Sequence, residues 1–363
     1  MVVQTDQLYW GPFIYLFQMT SQIKIKAAVL VKNKSNLILK DIFHKNILKK
    51  DQVLIKLIYT GICGSQIGEI NGIKGKDKFL PHLLGHEATG EVLQAANNVT
   101  KFKKKDKVIL HWQTNKIKDS EVPNYYDNNG NKINAGWVTT FNNYAIVSQN
   151  RLSYLPKKIN LLEGVLFGCS LTTAYGSIFN SSKINLNRNN KIIIVGFGMI
   201  GQALLSFLFK KNQQIKIIEI NKKKIKFLKK NFPKIKYFKN TKDLKKNSYD
   251  IIYETTGNTK LVENSYGLIN NTGKLILIGV PKNNSKIKIN TLGINYGKKI
   301  IGSYGGNIIP EKDIPKLARL IKKNKINLRN LISGPYKFKN INTLINKIKT
   351  GKLITKPILK LEH

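Results

Sequence analysis

Three side chains that could bind a metal ion stand in glycine-flanked turns in the first half of the chain. Cys63 lies in GICGSQ, His86 lies in LLGHEATGEV and Cys169 lies in FGCSLTTAYG. Two thiolates and one imidazole from separate segments form the ligand set of a catalytic zinc, which keeps a fourth position open for water or a substrate. Taken singly, a free cysteine is usually a small buried residue, and a histidine near a strand is often a satisfied core group. The three together favour a zinc site.

A glycine-rich turn in the second half of the chain could bind a dinucleotide. The pattern G-x-G-x-x-G is formed by Gly196, Gly198 and Gly201, directly after the buried apolar run KIIIV at 191–195 and at the start of a helical pattern at 200–211. In such a turn the first glycine permits the tight bend, the second lets the backbone approach a pyrophosphate, and the third permits close helix–sheet packing. The amides at the helix N-terminus then face the phosphate.

Glu219 could decide which nicotinamide cofactor is bound. It stands at the end of the next apolar run, 215–220. A carboxylate there can accept hydrogen bonds from both ribose hydroxyls of NAD and would repel the extra phosphate of NADP. The alternative is that Glu219 only ends a strand, and the basic run at 222–224 leaves NADP open. The sequence therefore predicts NAD, with NADP as the minority alternative.

Two element patterns must position these groups. Before residue 168 the sequence predicts short strands at 23–31, 52–59, 88–95, 107–112 and 143–148. After residue 190 it predicts apolar strands at 191–195, 215–220, 250–253 and 274–279, with helical stretches at 200–211, 222–230 and 315–323 between and after them. The alternation of strand and helix predicts an α/β doubly wound, mostly parallel sheet, and the first part predicts a mostly β domain. The chain closes on a strand-like ITKPILKL.

This order predicts a cofactor domain inserted between two segments of a catalytic domain. We expect an N-terminal extension at 1–21, a first catalytic segment at 22–170, a dinucleotide-binding Rossmann domain at 171–305 and a second catalytic segment at 306–363. A chain of 363 residues suits two domains, and its apolar fraction of 42% predicts packed globular structure.

The net charge of +42 is the most unusual bulk property. It would suit a nucleic-acid or membrane-surface binder. Lysine, asparagine and isoleucine are over-used throughout the chain, however, and the lysines are dispersed rather than gathered in one stripe with aromatics. Compositional drift, without a specific nucleic-acid partner, is the favoured interpretation.

The cysteine content and hydropathy predict a cytoplasmic protein. Two cysteines in 363 residues do not make a disulfide framework, which favours a reducing compartment. No apolar run reaches the roughly 20 residues that span a bilayer. The apolar stretch at 8–17 is short, contains Gly11-Pro12 and has no basic residue before it, which argues against a signal peptide.

Taken together, the motifs GICGS, GHE-x-x-G, GCS-x-TTAYG, VGFGMIG, ETTGN and GKLILIGVP resemble those of the zinc-containing medium-chain alcohol dehydrogenases, in order and spacing. The resemblance runs from about residue 23 to the end and implies a GroES-like catalytic domain beside the Rossmann domain. It implies that Cys63, His86 and Cys169 hold one catalytic zinc, that Glu87 lies close to the metal, and that Ser65 contacts the substrate oxygen and starts a proton relay. It further places Trp112 and Phe141 in the alcohol pocket, Thr173 and Val280 near the nicotinamide, Ile200 in the cofactor site, and Glu219 and Lys224 at the adenosine ribose.

Three departures from the family pattern affect these expectations. The region at 113–136, which matches the family's structural-zinc lobe, has no cysteine, so we expect one zinc per chain and no structural zinc. Gln66 stands where an acidic residue often orients the ligating histidine. Gly68 stands where some members carry a relay histidine, so the proton would leave through Ser65, the cofactor ribose or water.

The predicted function is hydride transfer between an alcohol, aldehyde or ketone and NAD(H), with zinc as a Lewis acid. A polyol or sugar dehydrogenase is the alternative within the enzyme class, because His82 and His111 could contact a hydroxylated substrate, although either could equally be a surface or packing residue. The alternative of another class is a catalytically inactive dehydrogenase-fold binding protein. The family resemblance implies a homodimer or homotetramer, with 291–305 as the candidate edge, and no membrane partner.

Overall fold

The computed structural model describes residues 22–73, 75–114, 118–209 and 213–363. The predicted extension at 1–21 lies outside these residues. The strands are β1 Gln22–Leu30, β2 Ile38–Lys45, β3 Gln52–Gly61, β4 His82–Leu83, β5 Ala88–Ala95, β6 Lys107–Leu110, β7 Tyr125–Tyr126, β8 Lys132–Ile133, β9 Tyr144–Ser148, β10 Leu152–Tyr154, β11 Lys191–Val195, β12 Gln214–Ile218, β13 Lys236–Phe238, β14 Tyr249–Glu254, β15 Ile269–Leu277, β16 Lys299–Gly302, β17 Ile332–Lys337 and β18 Lys356–Lys360. The α-helices are α1 Gly64–Ile70, α2 Leu161–Gly164, α3 Ser170–Gly176, α4 Met199–Leu208, α5 Lys222–Asn231, α6 Thr259–Leu268, α7 Leu292–Asn295, α8 Pro310–Lys323 and α9 Ile341–Lys349.

A six-stranded parallel sheet forms the half of the molecule in which the sequence predicts a cofactor site, the cofactor half. Its strand order is β13-β12-β11-β14-β15-β16, and every pairing is parallel. The central strand β11 is completely buried from Ile192 to Val195, as its unbroken apolar run requires of a strand covered on both faces. The strand order reverses beside β11, and ligands of such sheets bind at this point, outside the carboxyl ends of the strands.

Two antiparallel-rich sheets form the mostly β half. The smaller has the order β4-β1-β2-β7-β8. The larger runs β10-β6-β5-β3-β18-β17, and β9 also pairs with β3. The pairing of β18 with β3 sets Ile358 opposite Gly61, so two distant parts of the chain meet in one sheet. The strands of the parallel sheet lie between these two partners in sequence.

The predicted fold class is confirmed. The differences lie in the extent of single elements and in elements that the sequence did not predict, among them β2, β13 and β16. Helix α4 ends at Leu208, short of the predicted 211, and residues 210–212 are not among those described. Helix α8 begins at Pro310, where the sequence predicts that the chain turns helical again, and it includes the helical stretch predicted at 315–323. Proline suits the first turn of a helix, because its missing N–H would have no partner there, and Glu311 and Asp313 complement the helix dipole.

Within the described residues, no single helix is long and apolar enough to cross a membrane. One pair of helical segments joined at a bend, Leu161–Gly168 and Ser170–Ser182, is together long and apolar enough for a membrane span, by length and composition only.

Candidate metal centre and cofactor turn

The three predicted metal ligands come together in the structure. The ligand atoms of Cys63, His86 and Cys169 all lie within 4.8 Å of one another. The two sulfurs are 3.9 Å apart, and both cysteines are free. The three predicted ligands thus meet although the first and the last are 106 positions apart in the chain.

Each of the three side chains occupies a turn that its neighbours define. Cys63 precedes helix α1 as its N-cap, and His86 lies in the loop between β4 and β5. Gly85, directly before His86, has a φ of +91°, and a Cβ there would lie 2.3 Å from Thr140 Oγ1. Cys169 caps helix α3 and is 7% exposed. Glycine at position 85 therefore permits the bend that brings His86 to the cysteines.

The donor set fits zinc. Zinc–sulfur bonds of about 2.3 Å at a tetrahedral angle place two sulfurs about 3.8 Å apart, close to the 3.9 Å between Cys63 and Cys169. His86 Nε2 is buried and has no hydrogen-bond partner among the described residues. A buried polar atom without a partner is costly, and a metal bond would satisfy it.

A buried ion pair lies beside the three ligands. Glu87 is 0% exposed and Lys356 is 1% exposed, and Lys356 Nζ donates to Glu87 Oε1. The second carboxylate oxygen, Oε2, is buried and has no partner among the described residues. The lysine charge thus balances a carboxylate that burial would otherwise disfavour.

The pKa directions in the cluster describe its metal-free state. The hydrogen bond with Cys169, aided by the charge of Lys356, holds the pKa of Cys63 well below its ordinary value. The same contact and burial hold the pKa of Cys169 well above its ordinary value. Burial alone would lower the pKa of His86, but the negative charges of Cys63 and Glu87 raise it overall. Zinc entry would therefore displace a proton from Cys169.

Helix α1 carries two further residues singled out by the sequence. Ser65 is exposed in its first turn, two positions after Cys63. Gln66 is 1% exposed, and its Oε1 accepts the N–H of Cys63 at 3.0 Å. Its Nε2 meets Nδ1 of His86. Gln66 therefore contacts two of the three candidate ligands.

The two predicted pocket residues differ in their exposure. Trp112 is partly buried, and its ring centroid lies 6.5 Å from that of His86. Phe141 is completely buried in the core of the mostly β half. The role of both in substrate binding stays a prediction. Tyr304, which the sequence analysis did not single out, is 79% exposed and meets Trp112 edge-to-face with the ring centroids 5.0 Å apart.

The backbone of the glycine turn is compatible with the predicted pyrophosphate site. Gly196 has a φ of +89°, and a Cβ at Gly201 would lie 2.1 Å from the Gly196 carbonyl oxygen. A Cβ at Gly198 would meet nothing within 4 Å, so its surroundings are open. Gly198 also precedes α4 as its N-cap, and no side chain caps this end of the helix, so its first amides have no partner from a capping side chain.

Glu219 joins the glycine turn to the second strand of the sheet. Its Oε2 accepts the N–H of Phe197 at 2.9 Å, and its Oε1 accepts the N–H groups of Ile220 and Asn221, each at 2.8 Å. Lys224 Nζ lies 3.5 Å from Oε2. An ionised carboxylate has further lone pairs for a ribose hydroxyl, so Glu219 fits either predicted role, as an end of β12 or as a ribose ligand.

The remaining predicted cofactor residues lie on separate elements. Thr173 is 6% exposed on α3, Ile200 is half-buried on α4, and Val280 is 64% exposed after β15. Helix α3, which follows Cys169, packs against α4, which follows the glycine turn. This helix pair connects the metal centre to the cofactor turn, and the contacts of the three residues with a nicotinamide stay a prediction.

The C-terminal segment connects the same two sites. Gln202 of α4 donates from Nε2 to the carbonyl oxygen of Ile354 at 2.7 Å, and Asn221 donates from Nδ2 to that of Gly351 at 3.3 Å. Lys356, two residues after Ile354, then reaches Glu87. Lys356 was not predicted as a site residue because lysines occur throughout this chain. The only feature of the sequence that could have identified it is its position in an apolar strand.

His82 and His111 both have protein partners. His82 Nε2 lies 2.8 Å from Asp77 Oδ2. His111 is 0% exposed, with Nδ1 2.7 Å from the Gln113 carbonyl oxygen and Nε2 3.0 Å from Ser153 Oγ. Nδ1–H can donate to the carbonyl while Nε2 accepts from the hydroxyl, so His111 is satisfied as a neutral packing residue. This contact set does not favour a role in binding a hydroxylated substrate.

Acidification should destabilise the fold through His111. Burial, with the nearby charge of Arg151, lowers the pKa of His111 to about 4. Since the unfolded ring has a pKa near 6.5, the unfolded state binds the proton first, and stability falls from about pH 6.5 to about pH 4 by roughly 3 kcal/mol. In urea unfolding, the wild type should lose about 3 kcal/mol more unfolding free energy than His111→Gln as the pH falls from about 6.5 to about 4. A constant difference between the two proteins would contradict the prediction.

Two family models match the chain. The Alcohol dehydrogenase GroES-like domain model matches residues 49–157, and the Zinc-binding dehydrogenase model matches residues 199–323. Together the matches cover more than half of the chain. Alcohol dehydrogenase-like 1 of Arabidopsis thaliana is 25% identical across 91% of this chain and 94% of its own length.

Solved structures share the fold. The alcohol dehydrogenase zinc-binding domain protein from Burkholderia ambifaria aligns with a TM-score of 0.83 at 20% identity, over 94% of this chain and 100% of its own. Benzyl alcohol dehydrogenase from Acinetobacter calcoaceticus aligns at 0.81 and 22% identity, with the same coverage. Two others, each with a TM-score of 0.75 over 93% of this chain, are the CAD of Helicobacter pylori complexed with NADP(H), at 20% identity over 98% of that chain, and acetophenone reductase from Geotrichum candidum in complex with NAD, at 17% over 97%.

Proposed function

Because the chain belongs to the zinc-containing medium-chain alcohol dehydrogenase family, we propose that it transfers a hydride between an alcohol, or the matching aldehyde or ketone, and NAD(H). The observation that carries the proposal is the convergence of Cys63, His86 and Cys169 on one point, within 4.8 Å of one another. These three residues are proposed to hold the catalytic zinc.

The chain's own charges suit that role. Two thiolates, from Cys63 and Cys169, would neutralise a divalent ion, while Lys356 balances Glu87 beside them. When bound, zinc would supply a Lewis acid that favours the deprotonated alcohol, and the nicotinamide would accept the hydride. The exposed hydroxyl of Ser65, two residues after Cys63, is proposed to receive the alcohol proton and pass it toward solvent.

A preference for NAD over NADP is part of the proposal. The buried carboxylate of Glu219 stands beside the glycine turn, where it would accept hydrogen bonds from ribose hydroxyls and repel a 2′-phosphate. Lys224 is paired with Glu219 at 3.5 Å, which weakens its attraction for such a phosphate. Open space at Gly198 supports close approach of the pyrophosphate.

Metal analysis combined with a cofactor-reduction screen tests the proposal. We expect about one zinc per purified chain, and reduction of NAD faster than NADP with simple alcohols. Chelation should remove the activity and added zinc should restore it. Two zinc ions per chain would contradict the expected lack of a structural zinc. Faster turnover of polyols would favour the polyol alternative, and no turnover of any alcohol by the zinc-loaded protein would favour an inactive binding protein.

A further inference from the structure

The amide of Gln66 is held between two of the proposed zinc ligands. The side chain is 1% exposed, and Oε1 accepts the backbone N–H of Cys63 at 3.0 Å. The same bond satisfies a free amide at the start of α1, as the third residue of a helix often does for its N-cap. The other end of the amide, Nε2, meets Nδ1 of His86. Because Gln66 is almost unexposed, its amide has little access to solvent as an alternative partner.

With zinc bound to His86, two hydrogen-bond donors would face each other at this contact. When a metal occupies Nε2 of a neutral imidazole, the ring hydrogen is on Nδ1 and needs an acceptor. At Nδ1 of His86 it meets the NH₂ group of Gln66 instead. Rotating the amide by half a turn presents Oε1 to His86, but then the NH₂ group faces the N–H of Cys63. Either orientation leaves one buried pair of donors opposed, so the conflict does not depend on which end of the amide is which.

A carboxylate of the same length would have no such conflict. Both of its oxygens accept, so one could take the N–H of Cys63 and the other the Nδ1–H of His86, as charge-assisted bonds. Partners of this kind typically change metal affinity by 10- to 100-fold when they are altered.

We propose that Gln66 weakens zinc binding at the Cys63–His86–Cys169 site, so that the metal is more readily exchanged than it would be beside a carboxylate. The inference rests on the proposed function, since it concerns the zinc of that site. It assigns Gln66 as a positioning residue whose effect is on the metal-bound state. The fraction of protein that carries zinc then depends on how much free zinc surrounds it.

Zinc affinity of the full chain, measured by competition with a chromophoric chelator after metal removal, tests the inference. Gln66→Glu should lower the zinc dissociation constant by about 10- to 100-fold, and Gln66→Asp serves if the first variant does not fold. Gln66→Leu, which removes the amide oxygen and nitrogen of residue 66, should bind zinc no more tightly than wild type. Thermal unfolding of the metal-free proteins checks that each variant is folded.

Gln52→Glu is the matched control. Gln52 is also 1% exposed, with Oε1 accepting the Lys49 N–H and Nε2 donating to the Glu121 carbonyl oxygen. The Gln52→Glu variant places the same negative charge at a buried position outside the cluster. It should leave the zinc dissociation constant within a few-fold of wild type. An equal gain in both glutamate variants would overturn the inference, because general electrostatic attraction would explain it.

The outcomes separate this inference from the proposed function. If His86→Ala binds zinc as wild type does, the metal is elsewhere and the proposed function fails. If His86→Ala loses zinc while Gln66→Glu binds it no more tightly than wild type, the zinc site stands and the role of Gln66 is overturned.

Discussion

The His86→Ala variant is expected to lose its zinc and nearly all alcohol-dependent cofactor reduction, while it keeps its fold. Removing the imidazole leaves two sulfurs 3.9 Å apart, too few ligands for a stable tetrahedral site. Lewis-acid stabilisation of several kcal/mol corresponds to a rate loss of roughly 1,000-fold or more. Zinc content, steady-state rates and circular dichroism measure the three parts of this result.

His82→Ala is the control for the loss of a histidine nearby. His82 lies on β4, only a few residues before His86, and its Nε2 is 2.8 Å from Asp77 rather than at the cysteines. The control should keep its zinc and turn over within a few-fold of wild type. Wild-type turnover with full zinc in His86→Ala would refute the assignment of the metal ligands.

The Lys356→Met variant should lose about 3 to 5 kcal/mol of unfolding free energy. Lys356 and Glu87 are both essentially unexposed and paired, and removing one partner leaves an uncompensated buried charge. Urea unfolding of the metal-free protein gives the loss directly. Methionine fills most of the lysine's volume, so the missing charge, rather than a cavity, dominates the effect.

Two further measurements separate charge from packing at this pair. Adding Glu87→Gln to Lys356→Met removes the orphaned charge and should restore most of the lost stability. Burial raises the pKa of Glu87, and Lys356 opposes that rise. Without the lysine the folded pKa rises further above its unfolded value near 4.3, so stability is lost as pH rises and the deficit of the single variant should shrink in acid. If Lys356→Met loses the same free energy of unfolding at neutral and at acidic pH, and Glu87→Gln restores none of it, the loss comes from packing alone.

The candidate metal ligands could be predicted from the sequence because few residues of the chain have side chains that bind zinc through sulfur or an imidazole. The chain has two cysteines and five histidines, so a thiolate–imidazole site had few possible members. The glycine turn was predictable because its spacing follows directly from backbone geometry, as the φ of Gly196 and the closeness of Gly201 to the turn illustrate. The buried strand β11 followed from its unbroken apolar run.

The parts that escaped prediction depend on tertiary contacts. Lys356 has local sequence like that of many other lysines, and only the pairing of β18 with β3 places it in the core near Glu87. Tyr304 meets Trp112 through the packing of separate segments. The region at 113–136 lacks regular periodicity, yet its described part forms the hairpin β7–β8, in which the Tyr125 hydroxyl accepts the N–H of Ile146.

The pairing of β18 with β3 also bears on how the protein assembles during translation. All six strands of the parallel sheet leave the ribosome between these two partners. The parallel sheet is therefore built from contiguous sequence, while the end of β3 at Tyr59–Gly61 has no β18 to pair with until the last segment is made. Contacts between residues that are distant in sequence form slowly, because closing the long intervening loop costs chain entropy. The last strand therefore both pairs with the end of β3 and supplies the lysine that neutralises Glu87 beside the candidate ligands.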